Sequence, residues 1–153
     1  MARYALSGSL TAQNSATLPQ INIISATTAR ARIYDVIVGS TATPADNCAK
    51  FQFQRTTTAG TTPTTTLVAQ LLDLSDPAAV TTCGQGTWAT PPVLTASQFL
   101  LQWSQNQRAT FRWVAAPMGE ILLPATAAAG AALMNPAIGG AAVAYEHMVH
   151  FEE

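Results

Sequence analysis

Large apolar and polar side chains alternate along this chain in short runs with a period of two, the signature of half-buried β-strands. Residues 32–38, RIYDVIV, put Tyr34, Val36 and Val38 on one face and Ile33, Asp35 and Ile37 on the other. Both faces are mostly apolar, which predicts a central strand. Residues 50–55 set Phe51 and Phe53 against Gln52 and Gln54, the pattern of a strand with one wet face. Residues 98–103 and 109–114 also alternate, with Phe99, Leu101 and Trp103 in phase, then Ala109, Phe111 and Trp113. Residues 104–108 fit the hairpin connection between them. Further strands are expected at 21–26, 66–72 and 120–123. The closing run 143–151 lines up Val143, Tyr145, His147, Val149 and Phe151 on one face. Residues 2–6 predict an N-terminal strand or, within 1–16, an extended peripheral arm.

Between these runs lie breakers. Residues 40–47 carry Pro44, Asp46 and Asn47 and predict a loop. Residues 56–66 are threonine-rich, hold Gly60 and Pro63, and show no apolar periodicity, which predicts an extended surface loop. Residues 73–80 predict a turn or one helical turn around Asp76 and Pro77. The alanine-rich stretch 124–144 is interrupted by Gly130, Pro136, Gly139 and Gly140 and is too weakly hydrophobic for a membrane span. About eight short strands separated by turn residues, with little or no helix, predict an all-β, antiparallel β-sandwich or jelly roll. The 153 residues fit one domain spanning the whole chain.

Composition narrows the function. Charged residues are only 10% and the formal net charge is -1, so no global field draws in nucleic acid or an anionic membrane. Apolar residues make up 48% but aromatics only 7%, so few large side chains build the core. Six of the seven basic residues are arginines, Lys50 being the exception, which suits fixed contacts to a protein partner. The first residues hold no apolar run of secretory length, so folding in a reducing cytosol and unbridged Cys48 and Cys83 are expected.

Chemistry-bearing patterns are sparse. His147 and His150 fall on opposite faces of one strand, and Cys48 and Cys83 lack zinc-ligand spacing, so neither metal nor cofactor is expected. Asp73 and Asp76 read as turn formers, and no serine sits in a nucleophile elbow. Cys83-Gly84-Gln85-Gly86 lacks the lysine and helix of a phosphate loop. The expectation is a protein that is not an enzyme. Trp103 and Trp113 read as core, whereas Trp88, in a turn-rich segment, is open to a partner or sugar contact. Arg108 and Arg112 lie in phase, opposite Phe111 and Trp113, and predict a shared partner contact.

The segments NQRATFRWVAAPMGE at 106–120, YDVIVGSTATPADN at 34–47 and the terminal VHFEE resemble small proteins of tailed-phage head modules and prophages. Their best understood members are capsid cement, or decoration, proteins. The resemblance implies a sandwich subunit made in the host cytoplasm and assembled as homotrimers on the outer surface of the virion head, clamping neighbouring major capsid proteins. For the trimer contact the expected residues are Phe111, Trp113, Tyr145, His147 and Phe151; for the capsid contact, Arg108, Arg112 and Trp88. The alternative is an adhesin or carbohydrate-binding β-sandwich module.

Overall fold

The structure, a computed structural model, describes residues 1–10, 15–41, 43–136 and 142–153. Positions 11–14 of the expected arm, position 42 of the 40–47 loop and positions 137–141 of the alanine-rich stretch lie outside the described residues. The strands are β1 (Arg3–Leu10), β2 (Ile21–Ile24), β3 (Arg32–Ser40), β4 (Cys48–Thr56), β5 (Thr61–Leu67) and β6 (Gln70–Leu71). They continue with β7 (Thr82–Thr90), β8 (Leu94–Asn106), β9 (Phe111–Val114), β10 (Ile121–Leu122), β11 (Gly130–Met134) and β12 (Tyr145–Glu152). No helix occurs among the described residues.

Two antiparallel sheets pack face to face as a β-sandwich, in agreement with the alternating pattern. The first runs β10-β3-β12-β1-β6, with β9 also paired to β3; the second runs β5-β7-β2-β11-β4-β8. The core between them is made by Tyr4 and Leu6 of β1, Ile21 and Ile23 of β2, Ile33, Val36 and Val38 of β3, Phe51 and Phe53 of β4, and Tyr145, Val149 and Phe151 of β12. Tyr4 stacks on Phe151 at 5.2 Å between ring centroids. A second aromatic run crosses the sandwich. Tyr145 meets Phe51 edge-on at 4.9 Å, Phe51 stacks on Trp103 at 5.3 Å, and Trp103 stacks on Phe111 at 4.2 Å.

Several elements depart from the sequence reading. Residues 3–10 form an inner strand, β1, hydrogen-bonded along its length to β12, so they are not a peripheral arm. Part of the expected 56–66 loop is β5, an edge strand paired to β7. A proline is tolerated at an edge, and β-branched threonines suit a pleat even without apolar alternation. Residues 66–72 do not make one strand: β5 ends at Leu67 and the chain changes sheets before β6. Trp88 lies on β7 rather than in a turn.

β11 has no alternation because all five of its residues, GAALM, are buried. It occupies the middle of the second sheet, between β2 and β4. A β-carbon on Gly130 would sit 2.0 Å from the Ile23 carbonyl oxygen, so the close approach of β2 requires glycine there.

Two bulges also reset the faces. On β3, Asp35 pairs with His150 but Ile33 pairs with Phe151, leaving Tyr34 extra. Ile33 therefore joins Val36 and Val38 in the core, and Tyr34 turns outward to stack on His150 at 6.1 Å. On β8, Leu101 pairs with Phe53 and Phe99 with Gln54, leaving Leu100 extra. Leu101 and Trp103 pack on the core while Phe99 is 43% exposed, so these three do not share a face.

Candidate docking surface

The connection from β5 to β7 leaves the second sheet, adds β6 to the edge of the first sheet beside β1, and returns. Along its first part the strand-like alternation persists: Leu67, Ala69 and Leu71 pack against the core. The residues in the opposite phase face out, Val68 at 72% and Leu72 at 52% exposure. Leu74 is 90% exposed, and Val80 is also exposed. Single exposed leucines are ordinary, but four large aliphatics on one connection are a concentration of apolar surface.

This connection is pinned from end to end. Leu72 N–H donates to the Arg3 carbonyl at 3.0 Å, and Arg3 N–H donates to Asp76 Oδ2 at 3.4 Å. Asp73 folds the turn, accepting from Ser75 N–H at 2.9 Å through its side chain and from Asp76 N–H at 3.0 Å through its carbonyl. Tyr4 Oη donates to the Pro77 carbonyl at 2.9 Å. Burial, then the nearby carboxylates of Glu153 and Asp76, raise the Tyr4 phenol above its ordinary pKa, so the hydroxyl stays a donor. The Glu153 carboxylate accepts from Val80 N–H at 2.6 Å, Thr81 N–H at 3.2 Å and Thr81 Oγ1 at 2.5 Å. The backbone of Glu153 is held in turn by reciprocal bonds with Ala2 at 3.1 Å.

Asp73 thus acts as a turn former, in keeping with the sequence pattern, whereas the Asp76 carboxylate reaches across to Arg3. Replacing Glu153 with glutamine removes the charge from three hydrogen bonds and leaves the amide with a single accepting oxygen. The expected cost is about 1–2 kcal/mol in urea unfolding, with faster amide exchange at Val80 and Thr81.

The residues expected at contacts lie elsewhere. Tyr145, His147 and Phe151 are 1%, 2% and 0% exposed and fill the interior of a single chain, so they are not available to a trimer contact. Their apolar face is the one that closes the sandwich. Phe111 and Trp113 are half-buried: Phe111 lies against Trp103, and Trp113 packs on the core. Arg108 and Arg112 do not share a face. Arg108 sits in the turn before β9 and donates to the Pro44 carbonyl at 3.3 Å. Arg112 reaches across to β3 and grips Asp35 with both arms of its fork, at 3.0 and 2.8 Å. Trp88 is half-buried and its ring covers Gly84, where a β-carbon would come within 2.7 Å of both Trp88 and Pro63. It packs against its own sheet rather than standing free as a stacking platform.

Two polar groups stand out. On the outer face of the first sheet, Asp35 also meets His150 Nδ1 at 3.0 Å. Burial alone would raise the Asp35 carboxyl, but the hydrogen bonds from Arg112 and His150 outweigh it and hold its pKa below the ordinary value. A carboxylate–imidazole pair is half of a general-base relay. The cross-strand neighbours of His150 are Ala5 and Asp35, which supply no hydroxyl or thiol to complete one. Beside this cluster a shallow groove of about 650 Å³ runs over Ile37 and Met148, rimmed by Ser7, Ser9, Thr110 and Glu146.

In the interior, neither nitrogen of His147 has a hydrogen-bond partner among the described residues, nor does Gln85 Oε1. Both Gln85 Oε1 and His147 Nε2 lie within 2.6 Å of the point a β-carbon on Gly8 would occupy, so Gly8 makes room for the pair. Among the described residues no group of three or more His, Cys, Asp or Glu side chains is placed to hold a metal ion. Cys48 and Cys83 are both free thiols. No helix among the described residues is long and apolar enough to cross a membrane.

The molecule is a two-sheet β-sandwich that displays a pinned apolar connection at one sheet edge. Compared with known family models, with curated proteins and with solved structures, the chain has no match.

Proposed function

We propose that this protein is a structural virion subunit: a homotrimeric cement, or decoration, protein on the outside of a tailed-phage head, which stabilises contacts between major capsid proteins. The observation that supports this reading best is the connection from β5 to β7. A chain that spends Glu153, Tyr4 and Asp76 on fixing a segment whose leucines face water has its contact surface organised before a partner arrives, and a rigid surface loses little entropy on docking. Leu74 and Leu72 are the anchors, with Val68 and Val80 beside them. Work of this kind needs only the burial of surface across neighbouring shell subunits, which stabilises the bound state by mass action. The sequence resemblance to head-decoration proteins supports the same role.

Co-sedimentation of the purified protein with empty capsids of the phage whose head module encodes it tests the proposal. The wild-type protein should pellet with the capsids, and Leu74→Glu should weaken that binding at least tenfold, as expected for loss of an apolar anchor. Its urea midpoint should not move, since the side chain is 90% exposed. Wild-type protein that ignores capsids and instead binds glycans would overturn the proposal in favour of an adhesin.

A further inference from the structure

A sheet edge presents unpaired N–H and C=O groups, and natural sheets guard their edges with short strands, proline or charged side chains. Three of the four edges in this sandwich follow that rule. β6 has 2 residues, and the opposite edge of the first sheet is divided between β9, with 4, and β10, with 2. In the second sheet β5 carries Pro63, which has no N–H to give. The fourth edge is β8, which among the described residues pairs with β4 on one side only. It runs for 13 residues, LTASQFLLQWSQN, without a charged residue or a proline. Ser97, at φ 58°, and the extra residue Leu100 kink its first half, but the register from Leu101 to Asn106 is unbroken against β4.

We propose that β8 is a pairing edge, and that its partner is β8 of a second copy of this chain, joined antiparallel about a two-fold axis. Two observations favour a second copy. Antiparallel self-pairing sets a strand against its own sequence, so any charge would meet its like nearby, and β8 has none. Among the described residues the one other edge of comparable length is β5, whose ladder is broken by Pro63 and by the register shift beside it. Joining the two edges makes one continuous sheet across the axis and brings the two half-exposed Phe99 side chains onto its outer faces. A two-fold junction cannot close a trimer, so in a trimeric protein β8 links copies from different trimers. This inference does not depend on binding to capsids.

The test is the mass of the purified protein in solution, by native mass spectrometry and sedimentation, for wild type, Gln102→Lys and Gln102→Glu. Gln102 is exposed on the outer face of β8, opposite Gln52 of β4, so either change leaves the core untouched. Unchanged circular dichroism and urea midpoint show that each variant folds. Each variant alone should have half the mass of the wild-type assembly: monomer from dimer, or trimer from hexamer. An equimolar mixture of the two should restore the full mass, with mixed species predominating. A wild-type monomer, or variants that keep the wild-type mass, would overturn the inference. A wild-type dimer that the variants split would uphold the β8 junction while removing the trimer from the proposed function.

Discussion

Replacing Phe51 with alanine should lower the unfolding free energy by about 3–5 kcal/mol, a large share of the 5–15 kcal/mol typical of a single domain. Phe51 is fully buried on β4 and is the middle ring of the aromatic run that crosses the sandwich. Its removal deletes transfer free energy, leaves a cavity between Trp103 and Tyr145, and breaks two ring contacts worth about 0.5–1.5 kcal/mol each. Trp103 then stacks only on Phe111, which loosens the turn that carries the chain from β8 to β9. Phe99→Ala, 43% exposed on the far side of the β8 bulge, should cost under about 1 kcal/mol. Urea midpoints for the two variants decide the matter. Equal losses would mean that the bulge does not separate an inner from an outer phenylalanine.

Acid should destabilise the protein well above the pH at which its carboxylates are protonated. Burial pushes the His147 imidazole down from 6.5 to about 4. The unfolded chain therefore takes up a proton near pH 6.5 that the folded chain refuses until about pH 4. The contribution of the neutral, buried ring to stability is complete above pH 6.5 and is lost progressively as the pH falls to about 4. A shift of that size corresponds to roughly 3 kcal/mol. The ring is enclosed by β1 and β3 on either side, with Gln85 of β7 against it, and none of its cross-strand neighbours, Gly8 and Val38, bears a charge that could welcome the proton.

Asp35 titrates in a lower window. Its folded pKa is depressed, so its contribution is present above its unfolded value of 3.8 and is lost only as the pH falls through the folded one. Urea unfolding at intervals from pH 7.5 to 4 should therefore show a nearly level stability above about pH 6.5 and a steady decline below it in the wild-type protein. In His147→Gln the decline should be much shallower. A wild-type curve flat between pH 6.5 and 4 would show that the imidazole is not held neutral in the folded state.

The elements legible in the sequence are those that alternate against a wet face. β4 and β12 could be read residue by residue because Gln52 and Glu146 mark the outside where Phe51 and Tyr145 mark the inside. β11 could not, because a strand buried on both faces has no polar phase, and its small residues look like a linker. The bulges at Tyr34 and Leu100 were equally hidden: an inserted residue changes the face of everything beyond it, yet it has no distinctive side chain.

The docking connection was half visible. Asp73 and Asp76 announced the turn, but the segment that carries Leu72 and Leu74 is held by Arg3 at its start and by Tyr4 and Glu153 beyond it, partners 69 to 73 positions from the groups they hold. The same remoteness explains the misplaced trimer contact. Val143 to Phe151 reads as one greasy face, and only the second sheet supplies what covers it.

The order of strands carries a consequence for how the molecule comes into being. In the second sheet β11 is wedged between β2 and β4, and in the first β12 is wedged between β1 and β3. Each sheet is thus joined at its centre by a strand that follows, in chain order, both of the strands it links: until β11 arrives the group β5-β7-β2 has no link to β4-β8, and until β12 arrives β3 has no link to β1. A nascent fragment ending before Gly130 has neither sheet centre, so acquisition of the native state is a late, all-or-none event governed by distant pairings and correspondingly slow.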